Sequence, residues 1–249
     1  MREVYPLKMR RAMRALPFLV FLSACGATAP VTDTTHVAPV VTTADGTWNL
    51  DQLGVPPLIT SDYIESARIN RVSYFRSSYG HDYSDDLEHC RSMKHYFDAA
   101  TVPNSATVAI FAPVTGTLVR IEAEQTFGTQ IQVQPDAYPA FTVVVFHVVP
   151  DGTPAVGDRV LTGARLGHHV GSQTASDVAI RVETPGGSRL VSYFDALTDA
   201  VWARYLARGL ASRSDLIHSR AARDGNPLSC DASGTFAATG ALAQWVTLK

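Results

Sequence analysis

Runs of apolar and alternating residues fill the middle of the chain and predict β-structure. Gln130–Gln134 alternates polar and apolar residues, as a strand buried on one face does. Phe141–Val149 is almost wholly apolar, which is typical of a strand covered on both faces. Val178–Val182 and Arg189–Phe194 predict two more strands, with a hairpin turn at Pro185-Gly186-Gly187 between them. We therefore expect a mainly β domain over residues 53–194.

The spacing of apolar residues changes to a helical period after residue 194. Leu197, Val201 and Tyr205 recur at helical spacing within 195–210. Thr198 is the expected N-cap, and Gly209 is the expected stop. Ser214 is expected to cap a second helix over roughly 215–222. Residues 195–249 are thus predicted to form a helical C-terminal extension.

The N-terminal region predicts export rather than folding. Five basic residues precede the short apolar run at 15–22, which is too short for a stable membrane span. The following Leu22-Ser23-Ala24-Cys25 resembles the lipobox of bacterial lipoproteins, which implies cleavage after residue 24 and lipidation of Cys25. Residues 25–52, rich in Ala, Thr, Val and Pro, are predicted to be a flexible tether. Translation from Met9 or Met13 instead of Met1 would keep the same signal.

The net charge of the chain indicates which partners to expect, and its cysteines indicate the compartment. Residues 1–24 hold five of the 21 basic residues and one of the 23 acidic ones, so the mature chain has 16 basic and 22 acidic residues and a net charge of −6. This charge argues against non-specific binding of nucleic acid. With Cys25 lipidated, Cys90 and Cys230 remain as a pair in an oxidising compartment, which favours a disulfide over two buried thiols. We expect an exported, membrane-anchored lipoprotein on the periplasmic face of a bacterial cell envelope.

One short polar segment contains residues of the types that bind metals. His81 and Asp85 are four residues apart, and an imidazole and a carboxylate at this separation can converge on one zinc ion. From these two residues alone, a loop in which they satisfy each other and the nearby backbone is the simpler interpretation.

Four passages between Gly80 and Val182 resemble the lysostaphin/LytM-type zinc endopeptidases that cut peptide crosslinks of bacterial cell walls. These passages are His81-x-x-x-Asp85, Ala112–Leu118, His147 at the end of an apolar strand, and the Val156–Val160 turn with Gly163 and Leu166-Gly167. The resemblance implies an antiparallel β-sandwich of the LytM-like, duplicated hybrid-motif type. It also implies that His81 and Asp85 are metal ligands and that His147 is catalytic.

The sequence departs from this family at the end of the site. The family has His-x-His where this chain has Asp177-Val178-Ala179, so Asp177 stands at a catalytic position and Ala179 at that of the third zinc ligand. Alanine cannot bind a metal, and catalytic zinc normally has three protein ligands. A site without metal is favoured, while a rebuilt zinc site would need a donor such as Asp177, His89, His95, His168 or His169.

Two functions follow from this pattern. The first is a cell-envelope lipoprotein whose degenerate LytM-like domain binds peptidoglycan or regulates an envelope enzyme. The second is an active zinc endopeptidase with a substituted ligand set that hydrolyses peptidoglycan peptide bonds. The Gly-rich passages also resemble biotinyl and lipoyl carrier domains, but the only lysines after the signal, Lys94 and Lys249, lie outside the hairpin that carries the modified lysine in those domains.

Overall fold

The fold is a mainly antiparallel β-structure with few and short helices. A computed structural model describes residues 46–249. Residues 1–24, Cys25 and most of the predicted tether lie outside the described residues. The strands are β1 (Arg71–Ser73), β2 (His95–Phe97), β3 (Ala109–Phe111), β4 (Gly116–Ala123), β5 (Thr129–Pro135), β6 (Phe141–Pro150), β7 (Arg159–Val160), β8 (Arg165–His169), β9 (Ser176–Thr184), β10 (Gly187–Val191) and β11 (Trp245–Thr247).

The strands form one continuous hydrogen-bonded network. Its main path has the order β11-β1-β2-β9-β6-β5-β4-β7, while β10 pairs with β9 and β8 pairs with both β3 and β6. All pairs between these strands are antiparallel. The predicted mainly β, antiparallel fold is therefore confirmed.

The central strand β6 is buried on both faces, as its apolar sequence predicts. Val143 and Val145 point into the main hydrophobic core, whereas Val144 and Phe146 point into a second, smaller cluster. This division follows from the two-residue period of a strand. The functional residues described below lie beside the smaller cluster.

Turn chemistry in the sequence matches the observed connections. β9 and β10 form the predicted hairpin, with Thr184 paired to Gly187 across the turn. Gly116 at the start of β4 lies so close to β5 that a Cβ atom there would be 2.1 Å from the carbonyl oxygen of Gln134. Only glycine permits this approach of two backbones.

The packed region begins before residue 53. Trp48 is 5% exposed, and its ring packs edge-on against Tyr138 and Phe141. A short helix, α1 (Leu50–Leu53), follows it. The end of the predicted tether is therefore part of the folded domain, because the indole buries a large apolar area against β6.

The C-terminal extension is only partly helical. Its α-helices are α2 (Asp199–Leu206) and α3 (Arg220–Asp224), and the remaining short helices of the domain are 3₁₀ turns at Ser66–Arg68, Ser105–Thr107, Gln125–Phe127 and Arg213–Leu216. Thr198 is the N-cap residue of α2, but Ser212 and Ser219, rather than Ser214, cap the 3₁₀ turn and α3. The chain then ends in β11, which joins the sheet beside β1. Within the part of the chain that the structure describes, no helix is long and apolar enough to cross a bilayer.

A disulfide joins Cys90 to Cys230, as the cysteine count predicts. It links the segment that follows His81 to the C-terminal extension. Two further contacts hold the same segments together: His81 bridges to Thr235, and the Asp82 amide donates to the carbonyl oxygen of Gly234. The C-terminal extension thus fixes the position of His81.

Candidate functional site

Three neighbouring strands bring the candidate site together. β2 pairs with β9 with Tyr96 opposite Asp177, and β9 pairs with β6 as far as Val145 opposite Val178. Lys94 immediately precedes β2 and, at two residues from Tyr96, lies on the same face of the sheet. His147 follows in β6. Side chains that are far apart in sequence therefore meet at one place.

His147 lies where β6 changes partner. β6 pairs with β9 up to Val145 and with β8 from Val148 onward. Between these pairings the backbone of His147 has φ of 61°, a left-handed conformation that is uncommon for a residue with a side chain. Such local strain is often found at functional sites, and here it aims the imidazole at β9.

Both nitrogens of the His147 ring contact carboxylates. Nε2 lies 2.9 Å from Oδ1 of Asp177, and Nδ1 lies 3.1 Å from Oε2 of Glu124. The backbone amide of His147 also donates to Glu124 Oε2 at 2.9 Å, and the carbonyl oxygen of Phe127 is 3.1 Å from Nδ1. The structure thus brings together the two residues, His147 and Asp177, that the sequence predicts as catalytic.

The second partner of Asp177 is a buried lysine. Nζ of Lys94 lies 2.5 Å from Oδ2 of Asp177, and the two side chains are 3% and 0% exposed. The ammonium is surrounded by the rings of Tyr83, Tyr96 and Phe146, with its nitrogen 4.3–5.0 Å from their centroids. An ammonium at such a distance over an aromatic face is stabilised by the ring quadrupole.

The charges of this cluster reinforce one another. Burial alone would lower the pKa of His147, but the hydrogen bonds and charges of Asp177 and Glu124 raise it to about 10. Burial likewise opposes charge on Lys94 and Asp177, yet their mutual attraction raises the pKa of the ammonium and lowers that of the carboxyl. At neutral pH Lys94 and His147 are therefore cations, and Asp177 between them is an anion.

His81 lies at the edge of the same cluster. Its Nε2 is 3.4 Å from Nζ of Lys94, and its Nδ1 is 2.8 Å from the carbonyl oxygen of Asp82. Burial and the neighbouring charge of Lys94 lower the pKa of His81. The imidazole is therefore neutral at neutral pH.

Asp85 does not join His81. Its Oδ1 accepts hydrogen bonds from the amides of Leu87 and Glu88 at 3.0 and 3.1 Å, and its Oδ2 accepts from the amide of Leu190 at 2.9 Å. Arg189 lies 3.7 Å from the same Oδ2. The carboxylate thus organises the turn that follows it and ties this turn to β10.

A cleft of about 630 Å³ opens over the cluster. Aromatic and polar side chains line it together, as in many ligand sites. Glycine at position 80 is needed beside it, because a Cβ there would be 2.1 Å from the hydroxyl oxygen of Tyr96. The lining residues are Tyr79, Gly80, His81, Lys94, Tyr96, Glu124, Phe127, His147 and Thr174.

These donors do not fit a zinc ion as they stand. Ala179 offers no ligand atom, Asp85 is held by backbone amides, and both oxygens of Asp177 contact cations. Across residues 46–249 no group of three or more His, Cys, Asp or Glu side chains is arranged to hold a metal ion. Among the other donors considered from the sequence, His95 is engaged elsewhere: its Nδ1 lies 2.8 Å from the carbonyl oxygen of Ser73, and its Nε2 lies 2.8 Å from Oγ of Ser192.

Sequence reasoning missed Lys94 and Glu124 as members of the site. Lys94 stands in Met93-Lys94-His95-Tyr96-Phe97, where a lone lysine among apolar and aromatic residues is itself a signal of a paired, buried charge. Glu124 follows the end of β4 and has no comparable signal, because its contact with His147 depends on the fold of the β4–β5 connection.

Among known proteins, this chain is similar only to solved structures. No protein-family model matches the chain, and no curated protein matches it. The solution structure of lysostaphin matches with 14% identity and a TM-score of 0.33, covering 69% of this chain and 66% of that chain. A putative peptidase M23 from Pseudomonas aeruginosa matches with 18% identity and a TM-score of 0.31, covering 57% of this chain and 54% of that one.

A third likeness is to a putative glycyl-glycine endopeptidase LytM from Ruminococcus gnavus. It has 13% identity and a TM-score of 0.31, and it covers 49% of this chain and 60% of that chain. The chain thus spans less than two thirds of the length of each of these three proteins. The likenesses are partial and low in identity, and they concern backbone shape alone.

Proposed function

We propose that this chain is an exported cell-envelope protein that uses its peptidase-like β domain to bind peptidoglycan rather than to cleave it. The proposal rests on the contacts made by the carboxylate of Asp177. Its two oxygens contact Lys94 and His147, so the residues that would act in catalysis are engaged with each other.

The state of His147 argues against hydrolysis. A general base needs a free nitrogen and a pKa near the working pH. The pKa of His147 is raised to about 10, and both of its nitrogens contact carboxylates. The imidazolium therefore has no lone pair with which to activate a water molecule.

The cleft has the features of a binding surface. Phe127 and Tyr79 contribute aromatic rings to its lining, while Glu124 and His81 contribute polar atoms. Mixed apolar and polar lining suits a peptide chain that carries both methyl groups and amides. We therefore propose a peptide portion of peptidoglycan as the ligand, with lipidation of Cys25 holding the protein near the wall.

Co-sedimentation with purified peptidoglycan sacculi tests this function. We expect the wild-type protein to pellet with sacculi, without release of soluble peptides, and Phe127→Ala to pellet less. Leu161→Ala is the matched control, because Leu161 is an exposed apolar residue outside the cleft. Failure of the wild type to pellet would refute the proposal, and zinc-dependent release of wall peptides would establish the active endopeptidase instead.

A further inference from the structure

Lys94 lies opposite Ala179, the position at which the third zinc ligand is missing. Nζ of Lys94 lies between Oδ2 of Asp177, at 2.5 Å, and Nε2 of His81, at 3.4 Å. We propose that the ammonium of Lys94 takes the place of a metal ion, so that the protein itself supplies the cation of this site. The inference concerns the same cleft as the proposed function but does not depend on what the cleft binds.

The strand register makes Lys94 and Ala179 partners. His95 lies opposite Val178 and Tyr96 lies opposite Asp177, so continuing the register by one residue places Lys94 opposite Ala179. Opposite side chains on one face of an antiparallel pair are about 4.5–5.5 Å apart at their Cβ atoms. The methyl group of Ala179 leaves room for the lysine, whereas an imidazole there would compete with it for the same space.

The surroundings keep the ammonium in place. Lys94 is 2% exposed, and the rings of Tyr83, Tyr96 and Phe146 surround its charged end. His81 is neutral and directs a ring nitrogen at it, and Asp177 supplies the counter-charge. A ring nitrogen and a carboxylate oxygen are also zinc ligands, and here both face the ammonium.

Removal of the lysine should therefore create a metal site. We expect zinc to raise the melting temperature of Lys94→Ala and to bind it with one-to-one stoichiometry in calorimetry, because Nε2 of His81 and Oδ2 of Asp177 then face an empty position. Neither the wild type nor Lys249→Ala should respond, since Lys249 is exposed and is the only other lysine after residue 24. Adding His81→Ala to Lys94→Ala should abolish the response.

Zinc binding by the wild type equal to that of Lys94→Ala would overturn the inference, as would a folded Lys94→Ala that gains no zinc affinity.

Native amine labelling, read by mass spectrometry, provides a second test that needs no variant. We expect an N-hydroxysuccinimide ester to modify Lys249 in the folded protein and Lys94 only after unfolding in urea. Equal labelling of both lysines in the folded protein would also overturn the inference. A negative sacculus assay would leave both results unaffected, so the two proposals fail separately.

Discussion

Four ionisable side chains form a row at the cleft: Lys94, Asp177, His147 and Glu124. Each adjacent pair in this row is in direct contact, at 2.5, 2.9 and 3.1 Å. Buried charges are tolerated only when they are paired, because desolvation of a lone ion costs several kcal/mol. The loss of one member of the row would therefore leave its neighbour buried without one of its partners.

Asp177→Asn should be strongly destabilising. The substitution leaves the ammonium of Lys94 buried without its counter-charge, and breaking a buried ion pair from one side costs about 3–5 kcal/mol. Urea unfolding measures the loss. Asp136→Asn is the matched control, because the Asp136 pair with Arg159 lies at the surface and should contribute little. Equal stability of the two variants would show that the buried row contributes nothing.

The pH dependence of stability should follow His147. Its folded-state pKa of about 10 lies above the ordinary value of 6.5, so its charge stabilises the folded state fully below pH 6.5 and less and less as the pH rises towards 10. Asp177 has a lowered pKa, so its contribution is present above pH 3.8 and is lost as the pH falls below that value.

We expect the free energy of unfolding of the wild type to fall between pH 6.5 and 10, and His147→Gln to flatten this fall. His168→Gln is a control in the neighbouring strand β8. Urea titrations at several pH values give the comparison. An unchanged slope in His147→Gln would contradict the assigned protonation of His147.

At the scale of elements, one strand irregularity and one covalent link create the site. The change of partner in β6 turns His147 towards β9, and the segment that contains His81 is held by the C-terminal extension. The apolar pattern predicted β6, β9 and their hairpin neighbour because burial imposes a two-residue period. It did not predict the helices of the extension well: the helical spacing within 195–210 is realised as α2, but the predicted helix over 215–222 is replaced by a 3₁₀ turn at Arg213–Leu216 and the short α3 at Arg220–Asp224.

Reduction of the disulfide should loosen one side of the cleft. The Cys90–Cys230 link spans 140 residues, and closure of so long a loop stabilises a protein by up to about 5 kcal/mol in the chain-entropy model. We expect Cys230→Ser to lower the melting temperature and to increase hydrogen exchange at His81 to Tyr83 and at 229–237. Ser229→Ala, next to the cysteine, should leave both measurements unchanged. Unaltered exchange in Cys230→Ser would show that the extension does not hold the His81 segment.

At the scale of the whole molecule, the sequence predicts the fold better than the site. The β pattern and the matched passages predict a mainly β domain, and the register of the strands brings His147 to Asp177 as the order of the passages implies. The expected convergence of His81 and Asp85 rests on their spacing and on the family resemblance, whereas in the structure Asp85 accepts hydrogen bonds from three backbone amides. The spacing of residues could not assign Lys94 to the site. Its partner, Asp177, is 83 residues away in the chain, and the two meet only because β2 pairs with β9.

The proposed export and lipidation can be tested in cells. If Cys25 is lipidated, cells that express the protein should incorporate labelled palmitate into it, and Cys25→Ser should abolish the incorporation. Cys230→Ser serves as the control, because it removes a cysteine that lies in the disulfide instead. Equal labelling of the wild type and Cys25→Ser would contradict the proposed anchor.

The metal content of the wild-type protein tests directly whether the ammonium of Lys94 takes the place of a metal ion. We expect protein purified without chelators from cells grown with added zinc to carry only background zinc by inductively coupled plasma mass spectrometry, because Lys94 already neutralises Asp177. A stoichiometric content of one zinc ion per chain would contradict it.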